Sequence, residues 1–562
     1  MTLIEDVRDR RIGFDPDDGL GPIGPGVDAR APRRAAPRRR WLWVVVLGAI
    51  LAAVWVAEIG RDEILNPGGW PQVREFFGAA LHPELSGAFL RIVWESTLVT
   101  LAYAVLGTAL ALVIGFTLAL VVSDAWSRGA PPGRTVRILR GFTRIGLVPM
   151  RAVHEAVWAV LLVQVLGINP LVAILAIGVP FGAVTAKVFA QMFDDVNARG
   201  FSALRRAGAR RRQAMLYGLL PEVGPNLVAY GCYRFECSIR AAAVLGVIGA
   251  GGLGFQIKIS FQSLNYGEMW TLLYVVILLC AVADFWSSRM RARWRLGSPG
   301  IVRRSRSLVA KGMRLAALAS VPIAWWYLEV DPSTLWAERA RENFGRLVTS
   351  LFPPVPANGW GTLVELSIDT LAMSVIAIAI AFVGGFGLAL LAARPAAGAG
   401  LGVRTRSLFV RGMLLVARAI PPPVWAFVFL FVFFPGVVPG ALALGVYNLG
   451  VLGRLMAELA ENADPRPAQT LRASGARAGQ VFWYDRLPRL GTGFASLGVY
   501  RWEVAIRETV VVGLVAAGGL GAALGQELAA FDYQAISATL LALVVITAFT
   551  DVISERLRRA LR

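Results

Sequence analysis

Apolar residues along this chain gather in long runs, separated by short segments rich in arginine, glycine and proline. Windows of about 19 residues, broken at charge clusters or at Gly and Pro, predict twelve helical spans. In the first half they fall at roughly 41–60, 92–122, 142–166, 169–193, 223–249 and 270–286. In the second half they fall at roughly 314–330, 362–392, 410–434, 437–459, 490–516 and 535–552. Most approach or exceed the ~20 residues that a helix needs to cross a hydrocarbon layer of about 30 Å. The fold class read from this pattern is an all-α integral membrane protein with two tandem sets of six helices.

Of the 562 residues, 56% are hydrophobic and 17% charged, where a soluble domain carries about 25% charged residues. Mean hydropathy is +0.59. A formal net charge of +20 would suggest nucleic acid in a soluble protein, but no folded basic domain with interleaved aromatics is left over to bind it. Instead the arginines sit between apolar runs, as in Arg33, Arg34, Arg38, Arg39 and Arg40 before the first span, and Arg205, Arg206, Arg210, Arg211 and Arg212 before the fifth. This positive-inside bias predicts that both termini and the loops 123–141, 194–222, 287–313, 393–409 and 460–489 are cytoplasmic. Segments 61–91 and 331–361, mixed in charge and rich in Gly, Pro and Trp, are expected at the opposite interface.

Residues 1–40, polar and rich in Pro and Gly, predict a disordered cytoplasmic tail. The run from Trp41 to Ile59 is longer than a signal-peptide core and lacks a small-residue cleavage site, so it is expected to stay as an anchor. The expected organisation is a first membrane half over 41–290, a cytoplasmic linker over 291–313 and a second half over 314–562. Cys232, Cys237 and Cys280 all fall in predicted spans, which excludes a secreted disulfide framework. His82 and His154 are too far apart for metal-ligand spacing, and no metal site is expected.

The two halves are alike in sequence. Leu204-Arg-Arg-Ala-Gly-Ala-Arg210 recurs as Leu471-Arg-Ala-Ser-Gly-Ala-Arg477, an offset of 267 that holds through Pro221/Pro488, Tyr233/Tyr500, Arg234/Arg501, Glu236/Glu503, Arg240/Arg507, Gly254/Gly521 and Asp284/Asp551. Upstream, Glu95/Glu365 and Thr100/Thr370 match at 270. A parallel duplication in a membrane protein implies a pseudo-twofold axis along the membrane normal, with a pathway between the halves.

Two motifs occur in each half. In the loop before the fifth span, Gly208 is followed after nine residues by Gly218-Leu-Leu-Pro221, and Gly475 after nine residues by Asp485-Arg-Leu-Pro488. Such a segment suits a short amphipathic helix at the membrane surface, with Gly at a sharp turn and Pro opening the next helix. Farther on, Tyr233-Arg-Phe-Glu-Cys-Ser-Ile-Arg240 precedes Gly249-Ala-Gly-Gly-Leu-Gly254, and Tyr500-Arg-Trp-Glu-Val-Ala-Ile-Arg507 precedes Ala516-Ala-Gly-Gly-Leu-Gly521. The glycine string fits a dinucleotide fingerprint by letters but follows a membrane span, so close helix packing or a turn is expected.

The first motif resembles the coupling loop of binding-protein-dependent importer permeases. The second resembles the fifth span of phosphonate-transport permeases, Tyr-x-x-Glu-x-Asn-Ile-Arg followed by Gly-Ala-Gly-Gly-Ile-Gly. Departures are Ser202 and Gln469 in place of Glu, Gly218 and Asp485 in place of Ile, and Ser238 and Ala505 in place of Asn. The resemblance implies two fused type I ABC importer transmembrane domains in a bacterial inner membrane. It implies ATPase coupling through Leu204, Gly208, Ala209, Leu220 and Pro221, and through Leu471, Gly475, Ala476, Leu487 and Pro488. It also implies two copies of a cytoplasmic ATPase and an extracytoplasmic substrate-binding protein as partners.

Charges inside a membrane helix are costly unless paired or hydrated, which makes them functional candidates. Tyr233, Arg234, Glu236 and Arg240, their mates Tyr500, Arg501, Glu503 and Arg507, and Glu155 are the candidates for the translocation pathway. Glu236/Arg240 and Glu503/Arg507 are four apart, so they either neutralise each other along a helix or line a route for an anion. Glu155 corresponds to Pro422, an asymmetry between the halves. Lys187, Lys258 and Lys311 are the only lysines and none follows a glycine, so no Walker loop exists. ATP and Mg are therefore expected on a separate ATPase, and no cofactor on this chain. Phosphonates are the expected cargo, with phosphate, phosphite or methionine as alternatives, and an ion-coupled carrier with parallel repeats as the rival class.

Overall fold

The computed structural model describes residues 40–58, 64–125, 133–196, 199–295, 308–393 and 400–561. The predicted tail, except Arg40, and the middle of the predicted linker lie outside the described residues. The first half contains α1 (Arg40–Val56), α2 (Trp70–Ala79), α3 (Gly87–Val122), α4 (Arg134–Ala152) and α5 (Glu155–Leu166). It continues with α6 (Pro170–Asp195), α7 (Arg199–Arg206), α8 (Leu220–Leu245), α9 (Gly252–Gln262) and α10 (Tyr266–Arg295). The second half opens with α11 (Leu308–Tyr327), α12 (Glu338–Ser350), α13 (Gly359–Ala392), α14 (Leu401–Ala419) and α15 (Pro422–Val432). It ends with α16 (Val437–Glu461), α17 (Arg466–Ala473), α18 (Leu487–Val512), α19 (Gly519–Ala529) and α20 (Tyr533–Leu561). Each helix thus has its repeat mate ten places on.

Helices α3, α6, α10, α13, α16 and α20 are each long and apolar enough to cross a membrane alone. The other predicted spans differ from straight helices. Runs 142–166 and 410–434 are each two helices, α4 with α5 and α14 with α15, bent by 94° and 91°. At the second bend Pro421 to Pro423 cannot continue a helix, and Pro422 opens α15. At the first, Val153 and His154 are extended, and the His154 ring accepts the Ala156 N–H to cap α5. The fifth spans bend by 53° and 48° where they meet α9 and α19. Helices α1 and α11 are shorter apolar helices.

Helix α3 lies along α6, and α13 along α16, through small residues. A Cβ on Gly107 would stand 2.8 Å from Ile177, and one on Gly385 would stand 3.1 Å from the Gly453 nitrogen. The leading helices cross over. Helix α1 packs on α13 of the second half, with Ala53 and Ala57 against Met373, while α11 packs on α3 of the first. Outer segments interlock likewise: the Asn66 N–H donates to Val432 O at 2.7 Å, and Asn343 Nδ2 donates to Val165 O at 3.3 Å. The halves alike in sequence are therefore laced together.

Candidate functional site

The loop motif is built the same way twice. Helix α7 ends in a Schellman turn, with Ala209 N–H donating to Leu204 O (3.0 Å) and Gly208 N–H to Arg205 O (3.2 Å). Helix α17 repeats it with Ala476 to Leu471 (3.0 Å) and Gly475 to Arg472 (3.0 Å). Gly208 and Gly475 hold φ of +86° and +85°, where a side chain is strained. Pro221 and Pro488 stand in the first turn of α8 and α18, as expected, and a π turn over Met215–Leu219 or Phe482–Arg486 comes just before each, where the proline has no N–H to give. Asp485, in place of the family's Ile, is buried and pairs with Arg489 at 2.7 Å. The two π turns expose Leu216, Tyr217, Trp483 and Tyr484, and an open groove on the second copy is lined by Arg477, Gln480, Trp483 and Tyr484.

The glycine string is a tight turn, as anticipated. A Cβ on Gly254 would lie 1.9 Å from Ala243 O, and one on Gly521 2.4 Å from Val510 O. Thr100 Oγ1 and Thr370 Oγ1 accept the N–H groups of Leu253 and Leu520, both at 2.9 Å, anchoring α9 and α19 to the long helices.

Between the halves the membrane-embedded charges meet. Arg418 of α14 donates to Asp284 of α10 (2.8 Å) and lies 3.4 Å from Glu236 of α8. Arg454 of α16 also pairs with Asp284, and with Glu458 at 2.8 Å. Arg240 completes this group, 3.4 Å from Glu236. The repeat mates assemble a second group: Glu503 and Arg507 (3.8 Å apart), Arg558 on Glu503 (3.1 Å), and Asp551, Arg151 and Lys187 within electrostatic reach. It is looser. Arg507 donates to the Arg151 carbonyl at 2.9 Å, and Asp551, unlike Asp284, forms no ion pair within 4.0 Å among the described residues.

Tyr233 and Tyr500, from opposite halves, lie within electrostatic reach of one another yet are 41% and 45% exposed, so they face a cleft between the halves. Beside them Arg234 and Arg501 are buried. Arg501 is held by Asn448 and by Glu508 (3.1 and 3.3 Å). Arg234 instead donates from Nε and Nη2 to the Tyr230 hydroxyl (2.9 and 2.6 Å) and lies over the rings of Phe181 and Tyr230. Glu155 does not join either group. It stands first in α5, 3.5 Å from the His154 ring, as Pro422 stands first in α15.

The family model for binding-protein-dependent transport system inner membrane components matches residues 129–296 and again 385–562. The chain belongs to that family. The permease is 27% identical to the phosphate-import permease protein of Mycolicibacterium smegmatis over 82% of this chain and 84% of the relative. It is 34% identical to a phosphite transport system permease protein of Stutzerimonas stutzeri over 45% of this chain and 88% of the relative. A cryptic phosphonate transport system permease protein of Escherichia coli K12 is 35% identical over 21% and 97%. No solved structure matches.

Of the candidates from α8 and α18, Glu236 meets Arg418 and Arg507 meets the Arg151 carbonyl across the two halves of the permease, while Arg234 and Arg501 bond within their own halves. Sequence reasoning missed their partners Arg418, Arg454, Asn448 and Glu508, and Arg151 and Lys187 on the other side. A signal existed: Arg151/Arg418 and Lys187/Arg454 are cations inside apolar segments at the same offset of 267.

Proposed function

We propose that the permease is the membrane pathway of an ATP-driven importer for phosphorus oxyanions, with phosphonates, phosphite and phosphate as its substrate class. The observation that carries this reading is the doubled cytoplasmic device: two Schellman-turned helices, each followed by a π turn that exposes apolar and aromatic side chains at equivalent places. Two copies of an ATPase subunit, holding ATP and Mg, dock there, and an extracytoplasmic binding protein delivers substrate at the opposite face. Closure of the ATPases moves α7 and α17, and with them α8 and α18, whose charged and tyrosine-bearing middles face each other between the halves. The permease itself hydrolyses nothing and needs no cofactor or metal of its own.

The substrate class is supported by the phosphate, phosphite and phosphonate transport of the relatives and by the cationic side chains along the interface, since rings of arginine lower the barrier for anions. An ion-coupled carrier would have no use for the two loops. Co-purification tests the reading: the tagged permease is expected to retain a separate ATPase, and Trp483→Ala with Tyr217→Ala to release it. Retention of the ATPase by that double variant would contradict the docking site.

A further inference from the structure

The two halves treat one buried arginine differently. Arg501 is neutralised inside its own half by Glu508, with Asn448 bridging the two: its Nδ2 donates to Glu508 at 3.1 Å and its Oδ1 accepts from Arg501 Nε at 2.8 Å. At the offset of 267, Glu508 corresponds to Ala241, Asn448 to Phe181 and Leu497 to Tyr230. Arg234 thus has no carboxylate in the place where its mate has one, and no described residue forms an ion pair with it. A guanidinium buried in a membrane protein against a neutral hydroxyl and two ring faces, with no carboxylate beside it, is stabilised further by an anion.

The geometry of its hydrogen bonds says where the anion sits. Nε and Nη2 converge on the single Tyr230 oxygen, which occupies one side of the guanidinium fork. The end edge, formed by Nη1 and the second Nη2 hydrogen, has no acceptor among the described residues, and that edge matches two oxygens of a tetrahedral oxyanion. Tyr233, the next residue, is exposed to the cleft it shares with Tyr500.

We propose that Arg234 is the oxyanion subsite of the pathway: it takes a phosphorus oxyanion end-on from the cleft, while Arg501 has been silenced by Glu508, so the pathway holds one such subsite and not two. This rests on the reading of the chain as an oxyanion permease.

The test uses the full chain in lipid nanodiscs, without ATPase or binding protein, titrated calorimetrically with inorganic phosphate, phosphite and methylphosphonate, and with chloride as control. Wild type is expected to bind the three oxyanions. Arg234→Gln is expected to weaken them at least tenfold. The double variant Phe181→Asn with Ala241→Glu, which copies the second half into the first, is expected to do the same. Should that variant fail to elute as a folded monodisperse species, Arg234→Gln decides alone. Wild-type affinity in either folded variant, or absence of binding in wild type, overturns the proposal. Uptake by the assembled transporter separates the two readings: uptake of phosphorus oxyanions with undiminished binding in the variants sinks only the subsite, whereas Arg234-dependent binding without any such uptake sinks the proposed substrate and leaves the anion site.

Discussion

Arg418 and Asp284 join the two halves of the permease: the guanidinium of α14 donates to the carboxylate of α10 at 2.8 Å, across the interface that the sequence repeat defines. Both belong to a six-residue group with Glu236, Arg240, Arg454 and Glu458, three of each sign.

Removing one member leaves the others buried and unbalanced. Asp284→Ala is expected to cost about 3 kcal/mol, the loss typical of breaking a buried pair from one side. Asp551→Ala should cost less, because Asp284 pairs with Arg418 and Arg454 whereas Asp551 forms no ion pair within 4.0 Å among the described residues. Unfolding of the purified variants in detergent measures both, and equal losses would contradict the asymmetry.

At the glycine turn, Gly254→Ala must displace backbone, since its Cβ would lie 1.9 Å from Ala243 O. Severe loss of folded protein is expected. Gly224→Ala, with nothing within 4 Å of its Cβ on the same helix, should instead gain up to about 1 kcal/mol from helix propensity. Expression yield and thermal stability in detergent separate the two.

In the loop after α17, Gly475→Pro cannot adopt φ +85° and loses the N–H that donates to Arg472. The turn after α17 should open while the spans insert normally. Stimulation of the partner's ATP hydrolysis by binding protein is expected to fall sharply, with membrane yield unchanged.

Much of this was legible in the sequence because it is local. Hydropathy located the helices, and Gly208 and Gly475 marked turns whose hydrogen bonds close within six residues. The bends are hidden in the sequence because Val153 and His154 sit inside one apolar run and Pro421–Pro423 inside another. Charge partners were not legible because pairing across the interface depends on how α14 and α16 face α8 and α10, which no periodicity encodes. Nor does any local pattern say that α1 packs on the opposite half. The repeat offset, applied to every cation inside a span, would have recovered Arg151, Lys187, Arg418 and Arg454.

Docking should concentrate on the exposed aromatics. Trp483→Ala or Tyr484→Ala is expected to weaken ATPase binding by about 2 kcal/mol each, roughly thirtyfold, as for central interface anchors. Surface plasmon resonance against the purified ATPase reads this, and the stability of the permease should stay unchanged because both side chains are largely exposed.

The most direct test of an ATP-driven oxyanion importer is uptake into proteoliposomes. The permease, its ATPase and its binding protein are reconstituted with radiolabelled phosphite, phosphate or a phosphonate. Uptake is predicted only when hydrolysable ATP reaches the ATPase face and binding protein is present at the other. Uptake by the permease alone, driven by a proton or sodium gradient without ATP, would contradict the account.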